Sequence, residues 1–302
     1  MKVVLLAQDG AAGRATLRAI AAEHRIVGVI TPAPPGASRP GPLRRALSRF
    51  RGRSLRALAG VAGAPFVATP RPPDEAFAQM ITRTGADVTV MAGFPWLLGP
   101  RARSASSLGT LNVHAALLPR HRGVLPLFWI YHSDDRETGV SVHWADAQAD
   151  AGDIVAQQSF ALSRGRPVDE LNQENASLGA QLLRHALSLV ERGSATRTPQ
   201  DDRNATLAPW VRAGTPMIDF STWGAERCWH FLAGLLDRWT EPMHDADGNP
   251  VRYRGVRGFE LGTAMGEPGR LERRDGGWLL HCRDGRVLLG QSDLRPLPSG
   301  RR

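Results

Sequence analysis

Three side chains near the middle of the chain have the types and spacing for acyl-transfer chemistry. Asn112 and His114 stand two apart in Leu111-Asn112-Val113-His114. On a strand, residues two apart face the same way, so the amide and the imidazole share a side while Val113 turns to the core. Asp150 follows 38 residues after the asparagine, in a Gly-containing loop beyond a second strand pattern, Thr138 to Trp144. An amide N–H can donate to an oxyanion. An imidazole can carry a proton near neutral pH, and a carboxylate can orient it and stabilise its charge. An Asn-x-His pair at a strand end also occurs as a satisfied structural contact, so residue types alone leave both readings open.

The elements that must hold these groups are legible around them. Lys2 to Ala7 is a continuous apolar run, as a strand buried on both faces of a parallel sheet requires. Gln8-Asp9-Gly10 turns the chain, Ala12 to Glu23 has helical spacing, and Ile26 to Ile30 is a second strand. This is the βαβ opening of a doubly wound α/β fold. Gly10 and Gly13 hint at a nucleotide loop. The spacing is not Gly-x-Gly-x-x-Gly and no acidic residue ends the second strand, so dinucleotide binding is not expected. A strand from Pro65 to Ala68 and a helix from Asp74 to Thr84 precede a buried strand, Asp87 to Ala92. That strand runs into Gly93-Phe94-Pro95-Trp96-Leu97-Leu98-Gly99-Pro100. Ligands of open α/β sheets bind beyond the carboxyl ends of strands. An apolar loop there can hold a flat heteroaromatic ring by main-chain hydrogen bonds and side-chain walls; a core-packed helix entry is the structural alternative.

Ile154 to Leu162 reads as a strand and Val168 to Arg192 as a long amphipathic helix. Gly193 to Leu207 is polar and without apolar period, the composition of a linker. Beyond it, Ser221 or Thr222 is placed to cap a helix from Trp223 to Leu236. Short strands follow at Val251 to Arg254, Arg270 to Arg273, Trp278 to Cys282 and Arg286 to Leu289, with Gly turns between them. Short strands with such turns suggest a small barrel. The expected organisation is a catalytic domain over 1–192, a linker over 193–207 and a barrel domain over 208–302.

The segment from Leu111 to Val155 resembles the catalytic segment of the 10-formyltetrahydrofolate-dependent formyltransferase family. The family's pattern is Asn-x-His, Leu-Leu-Pro, Arg-Gly, a Thr-Gly-Val strand and an Asp-x-Gly-Asp or Asp-Gly-Gly loop. Here Asn112-Val113-His114, Leu117-Leu118-Pro119, Arg122-Gly123, Thr138-Gly139-Val140 and the Asp150 loop stand in that order. Methionyl-tRNA formyltransferase, glycinamide ribonucleotide formyltransferase, amino-sugar N-formyltransferases and formyltetrahydrofolate hydrolase modules share it. The combination is highly specific, although no single piece is. The resemblance extends over nearly the whole chain, because the C-terminal part is similar to the oligonucleotide-fold-like β-barrel of methionyl-tRNA formyltransferase.

The resemblance implies a Rossmann-like doubly wound sheet followed by that barrel. It also implies transfer of a formyl group from 10-formyltetrahydrofolate to a primary amine, without a metal. Asn112 is implied as an oxyanion donor and His114, as imidazolium, as a second stabiliser and proton carrier. Asp150 is implied to set the histidine's state, and Asp153 to tie down the loop. Phe94, Trp96, Leu97 and Leu98 match the family's pterin pocket, with the backbone of Trp96 and Leu98 reading the pterin edge. Asp146 and Ala147 match a second folate loop, which departs from the family form by lacking its glycine. Arg122, Phe128 and Trp129 are implied to meet the acceptor. Methionyl-tRNA enzymes typically continue Arg-Gly with Ala-Ala-Pro-Ile-Gln. Here the chain reads Val124-Leu125-Pro126-Leu127-Phe128-Trp129, and the aromatic pair looks more like enzymes acting on small molecules. The expected acceptor is an amino sugar nucleotide or another small amine, with methionyl-tRNA as the alternative. Water is a third acceptor, since LLPRHRG, Trp129 and Trp144-Ala145-Asp146 also resemble the hydrolase module. A noncatalytic RNA-binding protein has only charge and the barrel behind it. His121, His132 and His143 lie near the motifs; His121 is expected to approach the acceptor and His143 to be structural.

Net charge is +9, and Lys2 is the only lysine. Such a surface favours anionic partners, among them tRNA, nucleotides and polyglutamylated folate, or is simply solvated. Arg44, Arg45, Arg49, Arg51, Arg53 and Arg56 cluster at the end of a Pro- and Gly-rich insert, over 39–56, where they can meet phosphates. No stretch approaches the roughly 20 apolar residues of a membrane span, and MKVVLLAQDG is not a signal peptide. A cytoplasmic protein without membrane contact is expected. Cys228 and Cys282 have no metal spacing and read as buried, reduced side chains. The sequence gives no oligomeric state.

Overall fold

The computed structural model describes residues 1–33, 54–262, 266–274 and 276–290. Arg44, Arg45, Arg49, Arg51 and Arg53 therefore lie outside the described residues. The chain divides into two compact units. The first comprises Met1–Pro126, Thr138–Phe160 and Asn172–Ala208, and the second Leu127–Glu137, Ala161–Leu171 and Pro209–Arg302. The segment read from its composition as a linker, Gly193 to Leu207, belongs to the first unit.

The first unit is built on a seven-stranded sheet. Its strands are β1 (Lys2–Ala7), β2 (Arg25–Pro32), β3 (Phe66–Thr69), β4 (Val88–Ala92), β5 (Thr110–His114), β7 (Glu137–Trp144) and β8 (Ile154–Ala161). They are arranged β3-β2-β1-β4-β5-β7-β8. The pairs from β3 through β5 are parallel, and β7 runs antiparallel to β5. Alternation along β1 explains its uninterrupted apolar sequence. Val3, Leu5 and Ala7 pack into one core with Leu17, Ile20, Leu183 and Leu187, whereas Val4 and Leu6 pack into another with Phe77, Ile81 and Met91. Both faces are thus buried. Helices α1 (Ala11–Glu23), α2 (Leu55–Val61) and α6 (Val168–Glu191) serve the first core, and α3 (Asp74–Thr82) and α4 (Pro100–Arg103) the second. The order of connection reverses between β1 and β4, a switch point of the kind where doubly wound sheets bind ligands. Among the described residues no helix is long and apolar enough to cross a membrane.

In the second unit, α5 (Pro126–His132) and α7 (Ala225–Leu235) share an aromatic core. Phe128 stacks edge-on to Phe231 and Trp239 at 5.6 and 5.2 Å between centroids. The barrel expected here is, among the described residues, a four-stranded antiparallel sheet. It follows the short antiparallel pair β10 (Met243–His244) and β11 (Pro250–Val251) and is formed by β12 (Gly255–Leu261), β13 (Leu271–Arg274), β14 (Gly277–Cys282) and β15 (Gly285–Gly290), in the order β12-β15-β14-β13. Neither Ser221 nor Thr222 caps α7, because Asp219 holds both hydroxyls. Asp284, in the turn between β14 and β15, instead accepts the Ala225 N–H at 2.7 Å. Cys228 and Cys282 are free and buried.

Candidate active site

The site begins with β5. Val113 turns inward against Gly179 of α6, which has no side chain to obstruct it. Asn112 and His114 thereby face the other way, beside β7, where the antiparallel register sets Asn112 opposite His143 and His114 opposite Ser141. The chain then leaves β5 through a turn fixed by Ser141. Its hydroxyl donates to Ala116 O and accepts from Leu118 N, and Gln157 Nε2 donates to Ser141 Oγ and Leu118 O.

Asp150 arrives from the loop between β7 and β8 and meets both residues of β5. Its Oδ1 accepts from Asn112 Nδ2 at 2.9 Å, and its Oδ2 stands 3.5 Å from His114 Nδ1. The second Asn112 N–H faces His143 Nε2 at 3.1 Å. Because His143 Nδ1 lies 2.9 Å from the Trp144 carbonyl, which can only accept, that nitrogen carries the proton and Nε2 is the acceptor. The same argument fixes His114. Its Nε2 lies 2.8 Å from the His121 carbonyl, so Nε2 holds a hydrogen and Nδ1 is the nitrogen left to gain or lose one.

Two glycines let the backbone close around these groups. Gly123 has φ 128°, and its N–H donates to Asp150 Oδ2 at 2.8 Å. A Cβ on Gly152 would stand 1.8 Å from the Trp144 carbonyl, so only glycine permits the return of the Asp150 loop. Gly123 belongs to β6 (Arg122–Gly123), which pairs with β9 (Leu207–Ala208). Arg122 is buried at 7 % exposure; it donates through Nε to Gln200 and through Nη2 to Asp202.

At the end of β4, Phe94 and Trp96 stand edge-on at 5.0 Å, and both contact Phe77 of α3. Leu98 is buried and Leu97 half exposed. Asp74 fixes the far end of this loop by accepting the Arg101 and Ala102 N–H groups at the start of α4. Among the described residues no protein group accepts from the N–H of Trp96 or Leu98. Asp146 and Ala147 are exposed, and Asp146 bonds to the Ala147 N–H. Phe128 and Trp129 lie in the second unit. Phe128 is enclosed by aromatic rings, and half-buried Trp129 donates its Nε1–H to Pro209 O at 2.9 Å. His132 is also in that unit, bonded to Met217 O.

Residues 2–187 match the formyl transferase family. A methionyl-tRNA formyltransferase of Rhodopseudomonas palustris is 32% identical over 282 residues, covering 91% of this chain and 86% of that protein. The chain belongs to the formyl transferase family. It is a folate-dependent N-formyltransferase, the class implied by the motifs between Leu111 and Val155. An N-formyltransferase of Helicobacter canadensis, solved with folinic acid and dTDP-3-aminofucose, superposes with a TM-score of 0.65 at 15% identity. The match covers 96% of this chain and 99% of that one. HypX of Aquifex aeolicus, solved with tetrahydrofolic acid, has a TM-score of 0.57 at 16% identity and covers 95% of this chain and 43% of its own. These likenesses establish the shared fold.

The electrostatics of this formyltransferase centre on one pair. Burial pushes the His114 imidazole below its usual pKa of 6.5; Asp150 opposes that shift without overcoming it. That direction favours the uncharged ring near pH 7, whereas the family resemblance implied an imidazolium. Burial alone would raise the Asp150 carboxyl, but His114 and the Gly123 N–H hold it well below the usual carboxylate range; His143, whose Nε2 stands 3.4 Å from Oδ1, adds to this only when that nitrogen carries a hydrogen. The His114 contribution applies only in acid, where the ring is charged. Near neutrality the hydrogen bonds from Asn112 and Gly123 hold the carboxylate ionised. Among the described residues no three His, Cys, Asp or Glu side chains are placed to hold a metal ion. Sequence reasoning missed Gln200, Thr206, Ser141 and Gln157, which fix the turns around His114. Their signal is geometric and has no motif.

Proposed function

We propose that the enzyme transfers the formyl group of 10-formyltetrahydrofolate to the neutral primary amine of a small acceptor, with amino sugar nucleotides as the class. The observation that carries the chemistry is the placement of the His114 ring: its Nε2–H is committed to the His121 carbonyl, its Nδ1 lies beside the Asp150 carboxylate, and burial disfavours its charged form. Such a ring is a base whose protonated form is stabilised once it appears. The amine attacks the formyl carbon, and Nδ1 takes the proton that the nitrogen loses. The resulting imidazolium pairs with Asp150 and returns the proton to the departing folate nitrogen, leaving a formamide and tetrahydrofolate. Asn112 donates to the oxyanion. Both its N–H groups are engaged in the free enzyme, and the bond to the His143 ring nitrogen is weaker than the charge-assisted bond to Asp150, so the His143 bond is the one exchanged.

The folate would lie against Phe94, Trp96, Leu97 and Leu98, whose apolar walls and open Trp96 and Leu98 N–H groups suit the edge of a pterin. Asp146 and Ala147 would flank its other side. For the acceptor, the support is the departure from Ala-Ala-Pro-Ile-Gln after Gly123. The aromatic pair adds less, since Phe128 is enclosed and Trp129 alone has a free edge. Arg122, held by Gln200 and Asp202, would contribute its charge. Methionyl-tRNA is the second reading, favoured by the 32% identity that runs nearly end to end. One experiment separates them: tetrahydrofolate release is followed with donor alone, with amino sugar nucleotides and with methionyl-tRNA. Release only with methionyl-tRNA would overturn the small acceptor, and equal release without any amine would mean hydrolysis.

A further inference from the structure

The stretch from Thr198 to Ala208 plays no part in the reaction as derived, yet its side chains reach both partners of His114. Gln200 uses every hydrogen-bonding group of its amide. Its Nε2 donates to Asp150 O at 2.8 Å and to Gly152 O at 2.7 Å, and its Oε1 accepts from Arg122 Nε at 3.0 Å. Thr206 Oγ1 accepts from His121 N at 2.8 Å. Asp150 and His121 both have left-handed backbones, with φ 53° and 59°. That conformation is disfavoured for residues with a Cβ and persists where surrounding contacts impose it. Asp150 presents its carboxylate to His114 Nδ1, and His121 presents its carbonyl to His114 Nε2. Two strained residues thus flank the base, one at each ring nitrogen, and each is tied to the same segment by one side chain.

The geometry points to residues 198–208 as a strap that sets the orientation and proton state of His114, with Gln200 as the positioning residue for Asp150 and Thr206 for His121. Gln200 is half-buried and makes three bonds, whereas Thr206 is exposed and offers one acceptor, so Gln200 carries the larger effect. Without its tie, Asp150 relaxes from the left-handed region and moves its carboxylate away from Nδ1. The imidazolium is then less stabilised.

The inference rests on the reading of His114 as base and Asp150 as its partner, and the test keeps the two apart. Gln200→Leu should lower kcat by roughly ten- to a hundredfold, as misplacement of about 1 Å does, with little change in donor KM. The acid limb of its kcat/KM profile should move to lower pH, because Asp150 no longer supports the imidazolium. Gln200→Glu keeps an acceptor for Arg122 but has no donor for the two carbonyls, so it should be as impaired as Gln200→Leu. Full rescue by Gln200→Glu would mean that the strap acts through Arg122, and would overturn the assignment. Thr206→Val should show a smaller loss of the same kind and Thr206→Ser should restore it, which keeps the test decisive if Gln200→Leu fails to fold. Wild-type kcat and acid limb in Gln200→Leu and Thr206→Val, with Asp150→Asn inactive, would sink the strap alone. Wild-type turnover in Asp150→Asn would sink the underlying reading instead.

Discussion

At the scale of single residues, the site depends on which atoms are already committed. His114 has one nitrogen to use, since a carbonyl holds the hydrogen of the other. Burial lowers its pKa from 6.5, which leaves the proposed base uncharged throughout the neutral range. Activity governed by this group should therefore be flat from about pH 7 upward and fall only below 6.5. His114→Ala should abolish the limb with the activity. Asp150→Asn should cut kcat by about three to four orders of magnitude, by analogy with the loss when a buried carboxylate partner of a catalytic histidine is neutralised, while circular dichroism stays native. A limb centred above 6.5 in the wild-type enzyme would show that His114 is charged at rest and that the proton moves by another route. The residue types of this trio were legible in the sequence. The proton state was not, because it depends on the carbonyl at His121 and on burial, and neither has a pattern in the chain.

At the scale of elements, the period-two alternation of β5 was enough to place Asn112 and His114 together, since Val113 had to enter the core. Loops were less legible. The left-handed backbones of His121 and Asp150 fall on residues whose types do not demand them, and the cap of α7 comes from Asp284, 59 residues beyond Ala225. Only contacts remote in sequence fix such features. The loop after β4 is an intermediate case: its apolar composition was visible, but its bracing by Phe77 and Asp74 was not. This bracing leads to a prediction. A folate analogue should raise the melting temperature of the wild-type protein by mass action, and Phe94→Ala and Trp96→Ala each remove a ring that walls the proposed folate position. The shift in each variant should be smaller at equal ligand concentration. A full shift in both would place the pterin elsewhere.

At the scale of the molecule, the boundary between units follows contacts that composition does not report. Polar residues from Gly193 to Leu207 look like a linker, yet they return to the first unit and bind its active-site turns, while Leu127–Glu137 and Ala161–Leu171 join the second unit. Hydrophobic period reports burial along one element and says nothing about which core that element joins. The stability of the whole chain can nevertheless be argued from buried imidazoles. His230 is fully enclosed, and its Nδ1 accepts the Gly165 N–H at 2.9 Å. Burial, with Arg164 and Arg136 nearby, pushes its pKa down to about 3. His114 and His132 are lowered as well, each chiefly by burial. For a base lowered by folding, the unfolded chain binds more protons below pH 6.5, so stability falls as pH falls from there toward the folded value. His230 alone should cost about 2 kcal/mol between pH 6.5 and pH 5, at about 1.4 kcal/mol per pH unit. Asp150 does not offset this loss, because its depressed pKa makes its contribution constant until pH approaches that of a free carboxyl. The melting temperature should accordingly drop between pH 7 and pH 5. His230→Asn retains an acceptor for Gly165 but cannot titrate, so its drop should be shallower even if its stability at pH 7 differs. Thermal unfolding of both proteins at pH 7, 6 and 5 decides the matter, and parallel slopes would show that His230 is not the group that gains the proton on unfolding.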